Sequence, residues 1–364
     1  MSLSVNDFWQ HVRDDFGDLV PNPGSEDISL PGRNQNHIVT TDRGQYFVKV
    51  LISTDAERRA RNSASYDAFA ERVPGAPRSP RCLVADSEVG VLVFECLSRL
   101  RSGAQLMVDE QFDPGLATRL GASIAALHLG DPDLTPGPLS TLPAPHPRLL
   151  ESFPLEALTQ LSGGELRAWS LLQHDTAVVQ ALTDLHERSA GVPSAPVHGD
   201  LRVDQLLVAE DEHWIVDWEE FGTADPARDT GSFLGEWLYR TVLDIPTARG
   251  DGVELPQTTN STRDLVARGH AKVARLRPIT EAFWGGYHHA RAAAGMPADE
   301  DFASRTAGFI GWHLLDRFVA GAALSGNLPA IHRAAAGVGR AALLNPDGVL
   351  ELLGLHSISS EVSR

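Results

Sequence analysis

Hydrophobic and polar positions change period several times along the chain. Residues 4 to 16 set Val5, Phe8, Trp9, Val12 and Phe16 on one helical face, with Ser4 and Asp7 as a capping pair, and predict an amphipathic helix. From Ile28 to Leu51 the pattern becomes two β-rich runs punctuated by Asp42-Arg43-Gly44, which predicts a hairpin. Residues 55 to 73 return to helical spacing. A Pro-rich connector, Pro74 to Pro80, leads to the strand-like runs Cys82–Val84 and Val91–Leu97. Leu116 to His128 is helical again. Asp131 to Gly164 holds seven of the 23 prolines and reads as a long connection. Glu165–Ser189 is helical, and after a polar loop over Asp244–Thr262 so are Thr262–Ala294, Asp301–Leu324 and Leu328–Leu344.

One stretch interrupts the helices. Val197 to Glu220 reads VHGDLRVDQLLVAEDEHWIVDWEE. An extended apolar approach, Pro196-Val197, opens onto His198, Gly199, Asp200 and Arg202, and a second β-like run, His213 to Val216, ends at Asp217. Two such strands with polar mouths predict a hairpin that delivers Asp200 and Asp217 to one place, with Glu210, Asp211 and Glu212 in its solvated turn.

Two carboxylates so delivered suit phosphoryl transfer. That chemistry needs one carboxylate to orient and deprotonate the attacking hydroxyl, a second on Mg²⁺, and cations on the γ-phosphate. Asp200 fits the first role, Asp217 the second, and Arg202 the cation. A kinase signature has the form H-x-D-x(4)-N followed by a metal-binding Asp; here Gln205 stands at the Asn position.

HGDLRVDQLLV, WIVDWEEF and DPARD together resemble the aminoglycoside phosphotransferase-like kinases, over roughly residues 25 to 325. The resemblance implies an α+β, bilobal protein-kinase-like fold: a small N-lobe with an antiparallel sheet over residues 1–96, and a larger, mostly helical C-lobe over residues 97–364. The C-lobe would carry the catalytic hairpin at about 197–220 and a helical substrate-binding region at about 230–350. ATP or GTP with Mg²⁺ are the implied cofactors. The turn Pro31 to Asn36, with Gly32, would fold over the phosphates, and Lys49, in the strand Tyr46–Val50, would pair with them. Backbone groups from Glu95 to Leu97 would read adenine. Gln205 and Asp217 would ligate the metal, and His198 and Asp229 would support the catalytic loop. Leu116 to His128 matches a landmark helix of the group, in which His128 packs or hydrogen-bonds within the core. In one respect the sequence departs from the pattern: the helical carboxylate expected to pair with Lys49 falls near Asn62, leaving Glu57 or Glu71 as substitutes. Trp284, His288, His289, Trp312 and His313 are aromatic candidates for the acceptor wall, each also a candidate for core packing.

Composition narrows the partners. The 364 residues are 42% hydrophobic and 22% charged, ordinary for a globular protein and long enough for two lobes. A net charge of −17 argues against a nucleic-acid partner, and suits a cationic one at most weakly. No apolar run is long enough to span a membrane, and no secretory pattern is visible at the N-terminus. With two cysteines, Cys82 and Cys96, a disulfide framework is not expected and the cytoplasm is the simplest home. Between positions 200 and 236 eleven Asp or Glu face only Arg202 and Arg228. The DQLLV ending and the DWEEFGTADPARDTGSFLGEWLYR run are similar to kinases of class V lanthipeptide and thioamitide biosynthesis, which implies Ser or Thr of a precursor peptide as acceptor and a partner lyase. A small-molecule kinase is the alternative enzyme. A pseudokinase-type scaffold, suggested by Gln205 and the missing helical Glu, is the alternative outside catalysis.

Overall fold

The structure, a computed structural model, describes residues 28–30, 34–41, 44–139, 145–159, 161–246, 262–323 and 328–355. The helix expected over 4–16, the turn residue Gly32 and most of the loop over 244–262 lie outside the described residues.

Five strands form one antiparallel sheet in the order β1-β2-β3-β5-β4: β1 Ile28–Leu30, β2 Gln35–Thr41, β3 Gly44–Val50, β4 Cys82–Asp86 and β5 Val91–Glu95. Alternation along these strands puts Val39, Val48, Val50, Val84, Val91 and Val93 into one buried cluster. The β4–β5 turn is closed by Asp86, whose Oδ1 accepts from the amides of Glu88 and Val89 at 3.0 and 3.2 Å. Between β3 and β4 runs α1, Ala56–Ala70.

Beyond Glu95 the chain is mostly helical. A short strand β6 (Arg101–Ser102) leads into α2 (Gly103–Val108) and α3 (Pro114–His128). Asp113 caps α3 by accepting from Leu116 N at 2.9 Å, with Pro114 at the first helical position. The Pro-rich connection is less irregular than its composition predicts. It folds into a 3₁₀ turn at Pro132–Leu134 and two short helices, α4 (Pro147–Glu151) and α5 (Leu155–Leu158), because Pro132 and Pro147 fall at helix starts where a missing N–H costs nothing. Then come α6 (Gly163–Gln173) and α7 (Thr176–Ala190). Past the catalytic segment follow α8 (Ala227–Asp244), α9 (Thr262–Ala293), α10 (Phe302–Ala323), α11 (Ala330–Leu344) and α12 (Pro346–Leu353).

The segment between α7 and α8 pairs differently from the expected hairpin. β7 (Ala195–Val197) runs antiparallel to β10 (Gly222–Ala224), and the hairpin is instead β8 (Leu206–Ala209) with β9 (Glu212–Ile215), extended by β6. The left-handed turn at Gly199, with φ of +86°, takes the chain away from β9, and the two residues Glu210 and Asp211 suffice to close β8 on β9. A β carbon at position 199 would lie 2.5 Å from the carbonyl oxygen of Glu220, so only glycine fits there.

The large apolar core is not confined to the helical lobe. Tyr66 and Phe69 of α1 are fully buried in it, against Trp218 and Phe221. The ring centroids of Tyr66 and Trp218 are 3.3 Å apart and nearly parallel. Thus α1 joins the two parts: Ala60 packs with Leu51 and Leu92 beside the sheet, while Tyr66 and Phe69 enter the core of the larger lobe. Trp284 and Trp312 are also core: they stack on Phe302 and Phe309, and so do not form an acceptor wall.

Candidate active site

His198 sets the spacing of the site. Its Nε2 donates to the Val216 carbonyl at 3.0 Å, and its Nδ1 accepts the amide of Asp200 at 3.3 Å. Because a carbonyl can only accept, the ring is the neutral Nε2–H tautomer. One imidazole therefore ties the residue before Asp217 to the residue that carries the other carboxylate. Asp229, at the start of α8 and fully buried, accepts from His198 N at 2.7 Å, Gly199 N at 2.9 Å and His128 Nε2 at 3.2 Å. Burial alone would push its carboxyl up, but His128 and the two amides hold it below the ordinary value. His128 in turn bonds Tyr287 Oη at 2.9 Å, which is the core role expected of it.

The loop between β7 and β8 is built on Arg202. Its Nη1 donates to Asp200 Oδ2 at 2.6 Å, and its Nε donates to Asp204 Oδ1 at 3.2 Å. Gln205 closes the same turn: its Oε1 accepts the Arg202 amide at 2.9 Å, while its Nε2 reaches Asp217 Oδ2 at 3.4 Å. On the far side of the loop Arg240 of α8 lies 3.9 Å from Asp204 and 2.5 Å from Glu236, and Glu236 also meets His313 at 2.9 Å. Of these polar groups Arg202 touches Asp200 directly, and Arg240, Glu236 and His313 reach it only by way of Asp204.

Asp217 is the point where the two lobes meet. It sits in the left-handed region, with φ of 75° and ψ of 46°, which aspartate tolerates better than most residues. Lys49 from β3 bonds its Oδ1. Burial would raise the Asp217 carboxyl, but Lys49 and then Arg202 override it and hold the group well below the usual carboxylate range. Lys49 moves the opposite way: burial opposes its charge, but Asp217 and Glu219 outweigh that and keep it an ammonium.

Lys49 does not find its second carboxylate on α1. Glu57 bonds Arg61 at 3.0 Å on an exposed face, and Glu71 lies past the helix end, so neither substitutes for the missing helical acid. The partner is Glu219, two residues beyond Asp217. Glu219 also accepts from Asn34 Nδ2 at 2.8 Å and from Arg59 Nη1 at 2.8 Å, and its backbone carbonyl accepts from Asn62 Nδ2 at 2.9 Å. Arg58 and Arg59 both contact Glu220 as well, at 3.2 and 3.0 Å. The polarity between helix and catalytic segment is therefore reversed: α1 presents arginines and the segment presents the acids. Sequence reasoning missed Asn34, Arg58, Arg59, Glu219 and Glu220. The signal available was a helix with adjacent arginines and no acid at the expected place, set against an Asp-Trp-Glu-Glu run.

Two expected adenine-side residues are placed at the sheet's end. Glu95 pairs with Tyr46, and its amide bonds the Arg81 carbonyl at 3.0 Å, while its Oε1 accepts the Arg81 amide at 3.0 Å. Leu97 follows two residues beyond β5 and is half-buried. Gly32 lies outside the described residues.

The sequence profile of the phosphotransferase enzyme family matches residues 28–260, a span that takes in Lys49, the His-Gly-Asp turn and Asp217. The chain belongs to that family. It is a kinase of the phosphotransferase enzyme family, delivering phosphate to a hydroxyl group. Its fold is shared by solved kinase structures at low identity. Amicoumacin kinase hAmiN, described in complex with AMP-PNP, Ca²⁺ and Ami, superposes with a TM-score of 0.56 at 13% identity, covering 93% of each chain. A choline/ethanolamine kinase family protein from Mesorhizobium loti gives 0.53 at 17% identity, covering 95% of this chain and 98% of that one. Choline kinase LicA from Streptococcus pneumoniae gives 0.51 at 12%, covering 92% and 98%. No curated protein sequence matches the chain.

Proposed function

We propose that this phosphotransferase moves the γ-phosphate of ATP or GTP to a hydroxyl acceptor with Mg²⁺. The observation that carries the reading is the convergence of Lys49 and Gln205 on Asp217, with Asp200 and Arg202 held beside it through His198. In this reading Asp200 orients the acceptor hydroxyl and takes its proton, and Arg202 offsets charge on the transferring group. Lys49, with the turn at Gly32, holds the nucleotide phosphates. The backbone from Glu95 to Leu97 holds adenine, and His198 and Asp229 keep the loop in register.

The residues present fit a hard divalent cation. Asp217 offers a carboxylate; Gln205 turns its Nε2 to that carboxylate and its Oε1 to the Arg202 amide, so its amide oxygen would join the ion only after the amide rotates. Among the described residues no group of three or more His, Cys, Asp or Glu converges on one point, so protein ligands would share the ion with phosphate and water, the habit of Mg²⁺. When bound, the ion supplies charge neutralisation on the β- and γ-phosphate oxygens.

For the acceptor, the likeness of the DQLLV and DWEEFGTADPARD runs supports a Ser or Thr of a precursor peptide, with a lyase as partner enzyme. The fold shared with amicoumacin and choline kinases supports a second reading, a small hydroxylated molecule. The free thiols Cys82 and Cys96 suit a reducing cytoplasm, and among the described residues no helix is long and apolar enough to cross a membrane. Incubation with γ-labelled nucleotide, Mg²⁺ and matched panels of peptides and small alcohols, read by mass spectrometry, tests all of this. A phosphate adduct on one panel assigns the acceptor. Nucleotide binding with transfer to neither panel, under conditions where a control kinase works, would make the protein a scaffold.

A further inference from the structure

We propose that Arg59 is a positioning residue for the nucleotide-binding lysine, acting through Glu219; this rests on the kinase reading above. The side chains form an alternating chain of charge, Asp55–Arg59–Glu219–Lys49–Asp217. At its outer end Asp55, the residue before α1, accepts from Arg59 Nε at 3.1 Å and so aims the guanidinium. At its centre Glu219 has a side chain only 6% exposed, and each of its oxygens is committed: Oε2 to Arg59, and Oε1 to Asn34 and Lys49. Lys49 is therefore suspended between two carboxylates, one fixed by the helix and one in the catalytic segment.

The suspension has a physical consequence. Without Glu219 fixed in place, the attraction of a buried ammonium for the nearest carboxylate would bring Lys49 wholly onto Asp217. That would remove a cation from the phosphates and a carboxylate from its other duties. Asn62, at the position where the resemblance expects an acid, cannot hold the lysine and instead holds the Glu219 carbonyl at 2.9 Å. The helix thus acts on Lys49 at one remove, by arginine on an acid from the opposite lobe.

Arg58 supplies the control. It sits one residue earlier in the same helix and contacts Asp55 and Glu220, but no Arg58–Glu219 bond joins it to Lys49. If Arg59 were only glue between lobes, removing either arginine would have the same effect. The experiment is nucleotide affinity by calorimetry, with KM and kcat for phosphate transfer, on Arg58→Ala, Arg59→Ala, Arg59→Lys and Glu219→Gln. Arg59→Ala should raise Kd and KM for nucleotide about tenfold, the low end for residues that orient a primary ligand. The acceptor KM should stay within about twofold, and Arg59→Lys should recover much of the loss. Arg58→Ala should bind nucleotide like the wild type, and Arg59→Ala combined with Glu219→Gln should be no worse than the poorer single variant. Melting temperatures of the Arg58→Ala and Arg59→Ala proteins should agree. Equal nucleotide losses for the two arginines, or none for either, would overturn the proposal. A wild-type protein that binds no nucleotide would instead overturn the kinase reading on which it stands.

Discussion

Arg202 grips Asp200 by one oxygen only: Nη1 meets Oδ2 at 2.6 Å, while its Nε and Nη2 are turned to Asp204. The Asp200 side chain is 43% exposed, and in the proposed mechanism its other oxygen receives the acceptor hydroxyl. Asp200→Asn keeps the shape and the arginine contact but loses the base. Its kcat should fall by at least about 10²-fold, the low end for general-base catalysis, with nucleotide affinity nearly unchanged in calorimetry.

Gln205 is nearly buried and joins the Arg202 amide to Asp217. Gln205→Ala leaves that amide without its acceptor, a loss of about 1–3 kcal/mol in denaturant titration. It should also raise the Mg²⁺ concentration for half-maximal activity by about 10–100-fold. Gln205→Asn, with the same amide one methylene shorter, should fall between the two. An unchanged Mg²⁺ titration for the alanine variant would remove Gln205 from the metal site.

Asp229 satisfies two buried amides and a buried imidazole at once. Asp229→Ala leaves all of them unmet, at a cost of about 3–5 kcal/mol. Equilibrium unfolding should show this directly. The same variant, assayed well below its melting temperature, should lose kcat more than nucleotide affinity, since the turn it supports carries Asp200 and not Lys49.

Stability should also fall in mild acid. His213 and His288 are half-buried beside arginines, and desolvation first, then those like charges, lower both imidazoles from 6.5 to about 4. A histidine whose folded pKa is depressed stabilises the fold while neutral. That contribution is complete above pH 6.5 and is lost as pH falls toward about 4, where the folded groups finally charge. Unfolding midpoints measured across this window should decline, and the decline should be shallower in a His213→Gln, His288→Gln double variant.

Much of this molecule was legible in its residues, for identifiable reasons. The alternation in Tyr46–Val50 and Val91–Glu95 placed the sheet, and Lys49 announced itself as the one charge in the first of these strands. His-Gly-Asp and the later Asp217 pointed to the candidate site because spacing and backbone demands there are local. Strand partners were not local. Val197 pairs with Gly222 and not with the His213 run, a choice made by the turn at Gly199 and the reach of the loop. Nor could helical spacing reveal that α1 meets the catalytic segment through arginine. The partner of Lys49 lies 170 residues away, and reversing the sign of both faces leaves the hydrophobic pattern of α1 untouched.

The left-handed backbone at Asp217 makes the position answer to two masters. Conformation alone would accept glycine, asparagine or aspartate at little cost and charge a β-branched or bulky side chain for its presence. Chemistry alone would accept either acidic residue. Aspartate is where the two lists overlap, so a saturation library at this codon should yield stable but silent proteins with asparagine and glycine, strained ones with glutamate, and turnover from the parent residue.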